Sequence, residues 1–192
     1  MRLFVAVDLS AEAVREATRV ADEIRSQCSG ATLRWVPASN MHVTVRFIGH
    51  VATDPAALIA TLVEPVPVHR FDMTLGACGV FPASGAVRVI WIGLTSGLGE
   101  LAQVSALMDD RLRPFGFEPE PRALSAHVTL ARAGRRERAP RDLRDALSRV
   151  TVRPSVTRVS QAVLYRSHVS PRGARYEPLA SIPLAGGVLR IN

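Results

Sequence analysis

The stretch HVTVRFIG (residues 42–49) returns 85 residues later as HVTLARAG (127–134). His, Val, Thr and Gly are identical between the two, and Val45 is matched by Leu130. Each copy is a polar-apolar alternation of β-rich residues closed by glycine, which predicts a half-buried strand. On a pleated strand His42 and Thr44 share one face and Val43 and Val45 the other, with His127 and Thr129 opposed to Val128 and Leu130 in the same way. Each copy thus has an apolar face for a core and a wet face carrying an imidazole and a hydroxyl, about 7 Å apart. Regular alternation also puts Arg46 on the His42 face, within reach of a phosphate, sends Phe47 to the core and turns Arg132 away from His127.

On either side, similar elements surround each copy. Leu3–Val7 reads as a first strand, and Ser10 caps an amphipathic helix over 11–28 with Val14, Ala17, Ala21, Ile24 and Cys28 at helical spacing. The opposite face of that helix, with Arg15, Arg19, Asp22 and Arg25, is expected to be solvated, and Ser29 and Gly30 end it. A short strand at 33–36 leads to the turn before Met41. Asp54 and Pro55 open a second helix that Pro65 closes. FDMTLGACGVF and VRVIWIGL pair around the loop PASGA, a helix over 98–112 presents Leu101, Val104, Met108 and Leu112, and a short helix starts near Pro140. SQAVLYRSHV and RYEPLASIPL form a hairpin about the turn SPRG. Hairpin-like strands without a glycine-rich first turn argue against a dinucleotide-binding fold. The expectation is one α+β domain over 1–192, bilobal and duplicated about a pseudo-twofold axis, with two mostly antiparallel sheets lining a central cleft and helices packed outside.

A pseudo-twofold axis between the copies brings two imidazoles and two hydroxyls into one site. Imidazole titrates near neutrality, so one copy can take a proton while the other gives one. Threonine hydroxyls donate to phosphoryl oxygens without adding negative charge. The set suits in-line displacement at phosphorus and calls for no metal or other cofactor. His50, His69 and His168 sit in surface-like contexts, no HExxH motif occurs, and no GxSxG elbow is present.

Composition agrees with a phosphate-bearing partner without specifying it. The chain of 192 residues is 47% apolar and carries a net charge of +7, and all 24 basic residues are arginine. Arg135, Arg136 and Arg138 lie in a charged linker that reads first as a solvated face. Cys28 and Cys78 form no CxxC pair and read as buried thiols. Trp35 and Trp91 read as packing residues, and Tyr165 and Tyr176 as strand tyrosines within stacking reach of a base. No stretch reaches membrane-spanning length and the N-terminus reads as a strand, so a cytoplasmic monomer without a membrane partner is expected.

The two HxT words resemble those of the two-histidine (2H) phosphoesterase superfamily. RLFVAVDL, LRWVPASNMHVTVRFIG, VRVIWIGL, AHVTLAR and LYRSHVSPRGARYEPL extend the resemblance over the whole chain, to the RNA 2',3'-cyclic phosphodiesterases once called 2'-5' RNA ligases. That resemblance implies hydrolysis of a 2',3'-cyclic phosphate, on an RNA end or a nucleotide, to a 2'-phosphate. It makes His42 the general acid toward the 3'-oxygen, His127 the base for water, and Thr44 and Thr129 the holders of the non-bridging oxygens. Arg46, Arg132 and Tyr165 are further candidates for substrate contact. The chain departs from the family pattern before the second histidine, where an aromatic residue and a proline are common and Leu124 and Ala126 stand instead. Two other readings use the same residues: an RNA- or nucleotide-binding module without turnover, and ATP-independent 2'-5' RNA joining by the reverse reaction.

Overall fold

The computed structural model describes residues 1–28, 33–51, 55–134, 139–140, 142–170 and 173–185. Ser29, Gly30, Asp54, Arg135, Arg136, Arg138 and the tip of the SPRG turn fall outside these residues. In chain order the elements are β1 (Arg2–Asp8), α1 (Ala11–Gln27), β2 (Leu33–Trp35), β3 (His42–His50), α2 (Ala56–Leu62), β4 (Val66–His69), β5 (Phe71–Phe81), β6 (Val89–Ser96), α3 (Leu98–Leu112), β7 (His127–Ala133), α4 (Leu143–Arg149), β8 (Val156–Val159), β9 (Gln161–Ser170) and β10 (Gly173–Ala185). The fold is α+β.

Local chemistry accounts for most of these boundaries. The Ser10 hydroxyl accepts from the Ala13 amide at 3.2 Å and starts α1. The buried stripe of α1 runs through Ala13, Ala17, Val20, Ala21 and Ile24, rotated slightly from the expected one. Arg19, expected in solvent, grips the buried Glu16 carboxylate through two nitrogens at 2.9 and 2.6 Å. Glu16 also accepts the Arg153 amide at 2.8 Å, which pins α1 to the chain entering β8. The Arg19 bond is the main reason the Glu16 carboxyl titrates below its ordinary range. Helix α3 spans the expected residues and buries Leu101, Val104, Met108 and Leu112.

Two strands go unseen in the sequence, β4 and β8. Each has only four residues, and β4 contains Pro67, a residue tolerated because β4 is a sheet edge where an amide need not be donated.

The strands follow the order β4-β10-β9-β1-β3-β7-β6-β5-β8, with β2 also paired to β7. Every neighbouring pair is antiparallel except β10 with β4. In place of two separate sheets, the described strands form one ten-stranded sheet whose halves join at a single bridge, Val43 to Val128, because β3 and β7 pair directly. One lobe holds β1, β3, β9, β10 and β4, the other β7, β6, β5, β8 and β2. Each lobe borrows a helix from the other's sequence neighbourhood: α1 follows β1 yet packs on β7 and β8, and α3 follows β6 yet packs on β3 and β4. This crossing places the helices outside and leaves the HxT strands back to back at the centre.

Both central strands are irregular at the same step. Along β1 the partners of β3 jump from Thr44 to Arg46, and along β6 the partners of β7 jump from Thr129 to Ala131. Val45 and Leu130 are the extra residues of two equivalent β-bulges, and a bulge reverses which face the following residues occupy. Burial follows the reversal: Val45 and Arg46 are both buried and Phe47 is exposed, while Leu130 and Ala131 are both buried and Arg132 is exposed.

Candidate active site

The antiparallel register about Val43 and Val128 sets His42 across from Thr129 and Thr44 across from His127. The four polar side chains of the two words therefore occupy the corners of one central patch. A cleft of about 270 Å³ opens over three of them, His42, Thr44 and Thr129, and is lined also by Phe4, Phe47 and Arg132, while His127 lies outside its lining.

Each imidazole is held in the same way. Nδ1 of His42 lies 2.8 Å from the carbonyl of Asn40, and Nδ1 of His127 lies 2.6 Å from the carbonyl of Ser125, two residues upstream in both cases. A carbonyl can only accept, so each Nδ1 carries a proton and each Nε2 is left to exchange one. Nε2 of His42 lies 3.1 Å from the Thr44 hydroxyl, which donates to it when the ring is neutral. Thr129 instead accepts from Nη2 of Arg132 at 3.3 Å.

The ring environments differ. His42 packs near Phe4 at 5.1 Å and meets Tyr176 edge-on at 5.2 Å, whereas His127 lies edge-on to Phe81 at 5.1 Å and near Trp91 at 6.2 Å. Burial lowers the His42 pKa to about 4, opposed by the Asn40 bond and the Asp8 carboxylate and assisted by the charges of Arg132 and His127. His127 is lowered as well, first by burial, then by Arg132 against the pull of the Ser125 bond. Arg132 thus bears on both histidines.

The remaining candidates divide. Arg132, expected to turn away, lines the cleft because the Leu130 bulge reverses its strand face. Arg46, expected on the His42 face, is turned into the protein by the matching bulge. There it reaches Asp109 at 2.5 Å, Glu120 at 2.9 Å and the carbonyls of Phe47 and Glu118 at 2.5 Å each. It is 5% exposed, and its guanidinium is committed to tying β3 to α3 and to the connection leading into β7. Phe47, expected in the core, is 53% exposed and lines the cleft. Tyr165 stacks on Phe4 at 5.3 Å and donates its hydroxyl to Asp8 at 2.7 Å, while Tyr176 lines the cleft.

Asp8 escaped sequence reasoning. It pairs across the strands with His42, where the equivalent partner of His127 is Gly93. The polar end of an otherwise apolar first strand was its only signal. Leu124 and Ala126, the departures before the second histidine, pack against and within the core, so they support the strand leading to His127. His168 pairs with Glu177 at 2.6 Å, and His50 and His69 are exposed. Among the described residues, no group of three His, Cys, Asp or Glu side chains gathers as a metal site would require, and no helix is long and apolar enough to cross a membrane.

Comparison with known proteins agrees with the duplicated architecture. The LigT-like phosphoesterase family profile matches twice, over residues 7–91 and 92–176, one match for each HxT word. An RNA 2',3'-cyclic phosphodiesterase of Aeropyrum pernix is 31% identical over 157 residues, 82% of this chain and 89% of that protein. The crystal structure of a Thermus thermophilus protein superposes with a TM-score of 0.77 at 24% identity, covering 97% of this chain and 99% of the other. Escherichia coli LigT complexed with NADP+ superposes with a TM-score of 0.67 at 27% identity, covering 95% and 96%.

Proposed function

The chain belongs to the LigT-like phosphoesterase family, and we propose that it hydrolyses 2',3'-cyclic phosphates of RNA ends or nucleotides to 2'-phosphates with its own side chains alone. The observation that carries the reading is the paired arrangement of His42 and His127, each with Nδ1 fixed by a carbonyl so that Nε2, which in His42 meets the Thr44 hydroxyl, is the nitrogen that exchanges a proton.

In this reading the phosphate sits between the lobes, its non-bridging oxygens accepting from Thr44, Thr129 and Arg132. Nε2 of His127 takes a proton from water as the new P–O bond forms. The P–O3' bond breaks on the opposite side, and Nε2–H of His42 gives its proton to O3'. The product keeps the phosphate on O2' and gains a 3'-hydroxyl. Asp8 supports this division of labour, since it favours a protonated His42 and His127 has glycine at the matching position. Tyr165 holds Asp8 in place. The anionic phosphate draws both lowered histidine pKa values back toward neutrality.

Incubating the protein with a 2',3'-cyclic mononucleotide in EDTA and identifying the product tests the reading. A 2'-phosphate is expected. Salt-sensitive binding without product would leave only a nucleotide-binding role, and turnover that needs added metal would overturn the side-chain mechanism.

A further inference from the structure

The central cleft holds more positive charge than the proposed reaction uses. A 2',3'-cyclic phosphate is a diester with a single negative charge, which Arg132 answers in the reading above. Arg2 brings a second guanidinium to the same cleft, and among the described residues no aspartate or glutamate lines it. Arg2 is exposed and stands at the start of β1, in the lobe of His42. Its backbone is nonetheless fixed: Arg2 pairs across the strands with His50, and the Val51 amide donates to the Met1 carbonyl at 2.7 Å.

The polar groups near Arg2 divide into committed and open ones. Asn40 is committed, since its Nδ2 donates to the Ala174 carbonyl at 2.7 Å while its own carbonyl holds Nδ1 of His42 at 2.8 Å. The side chains of Arg2 and Ser167 have no hydrogen-bond or ion-pair partner among the described residues. The register that pairs Leu3 with Arg166 and Phe4 with Tyr165 sets Ser167 beside Arg2 on the neighbouring strand. Both residues line the cleft. A guanidinium and a hydroxyl side by side, with no carboxylate to compete, are the donors that suit a phosphate. One row of the sheet separates them from the catalytic patch: Phe4 lies two residues along β1 from Arg2, about 7 Å, and its ring is 5.1 Å from that of His42.

We infer that Arg2 and Ser167 form a second phosphate subsite, for the phosphate on O5' of the nucleotide that carries the cyclic phosphate. The inference rests on the phosphodiesterase reading above. In that reaction O3' departs toward His42, so the ribose lies on the lobe that bears Arg2. The cyclic phosphate occupies O2' and O3', which leaves O5' as the sugar oxygen that can carry another phosphate. A terminal 5'-phosphate and the diester to a preceding nucleotide present the same anionic oxygens there.

The experiment measures kcat/KM at low salt for three substrates that share a terminal base. They are a nucleoside 2',3'-cyclic phosphate with a free 5'-hydroxyl, the same compound with a 5'-phosphate, and a dinucleotide ending in the cyclic phosphate. The parent protein is compared with Arg2→Gln and Arg2→Lys. The parent should prefer the two substrates with the further phosphate, less so as salt rises, because exposed charges are screened. Arg2→Gln should cut that preference roughly tenfold, the worth of a hydrogen bond to a charged group, chiefly through KM, and Arg2→Lys should keep most of it. Whichever substrate gains more through Arg2 tells a terminal phosphate from an internucleotide one. Equal activity of the parent on all three, a preference that survives Arg2→Gln, or an equal loss on all three would overturn the assignment. If the parent hydrolyses none of them, the phosphodiesterase reading itself falls and this one with it.

Discussion

The two HxT words are built alike up to their bulges and unlike just after them. Both seat an apolar pair in the core, fix Nδ1 on a carbonyl two residues upstream and insert one extra residue after the threonine. Beyond that point Arg46 and Phe47 face Ala131 and Arg132 as counterparts. The first word buries its arginine and exposes its aromatic ring, and the second buries a methyl group and exposes its arginine. In the proposed reaction, what is duplicated supplies the proton exchange, which uses two like groups. What differs puts one exposed arginine, Arg132, in the cleft, where the proposed reaction uses it to anchor the phosphate.

The likeness of the two words faces its severest test at the histidines. If both imidazoles exchange protons in the reaction, His42→Ala and His127→Ala should each lower kcat/KM by about 10²- to 10⁴-fold while circular dichroism stays unchanged. Parent-like turnover in either variant would end the two-histidine scheme.

Next is the buried arginine. Arg46→Ala empties a buried site but leaves partly exposed Asp109 and exposed Glu120 behind, so its cost should fall between the roughly 1 kcal/mol of an exposed pair and the about 3–5 kcal/mol of a buried one. Urea denaturation should show a loss of that order, and a cost under about 1 kcal/mol, the range of an exposed pair, would mean that the tie between β3, α3 and the β7 connection contributes little. Arg132→Gln tests the counterpart in the other word. It should weaken phosphate contact while leaving stability nearly unchanged. Because the Arg132 charge pushes both histidines down, its removal should raise both and move the kcat/KM optimum to higher pH. A fixed or falling optimum would place Arg132 outside the reacting centre.

A gentler test uses stability against pH. His42 titrates at about 4 in the fold against 6.5 when unperturbed, so between those values the unfolded chain binds the extra proton. Stability from this group is therefore full above about 6.5 and is lost as pH falls toward about 4. The difference in melting temperature between the parent and His42→Gln should change in that window and be flat above it. The smallest effect is expected from Tyr165→Phe, which removes one hydrogen bond to Asp8, about 0.5–1.5 kcal/mol, and touches activity only through His42. A large loss of substrate binding would instead give Tyr165 direct contact with the substrate.

Much of this site is legible before folding. Period-two alternation announces the strands, their repetition announces two lobes, and the histidines and threonines mark the patch to which the proposed proton exchange and phosphate contact are assigned. These are properties of neighbouring residues, and a strand carries them wherever it packs. The sequence alone could not place Arg46, Phe47 and Arg132, because a one-residue bulge is invisible in the alternation it interrupts and reverses every face beyond it. Nor could it find Asp8 beside His42, the carbonyls of Asn40 and Ser125 that fix the two tautomers, or the crossing of α1 and α3 between lobes. Those depend on strand register and helix packing, which bring together residues distant in the chain, and they are settled only when the whole sheet assembles.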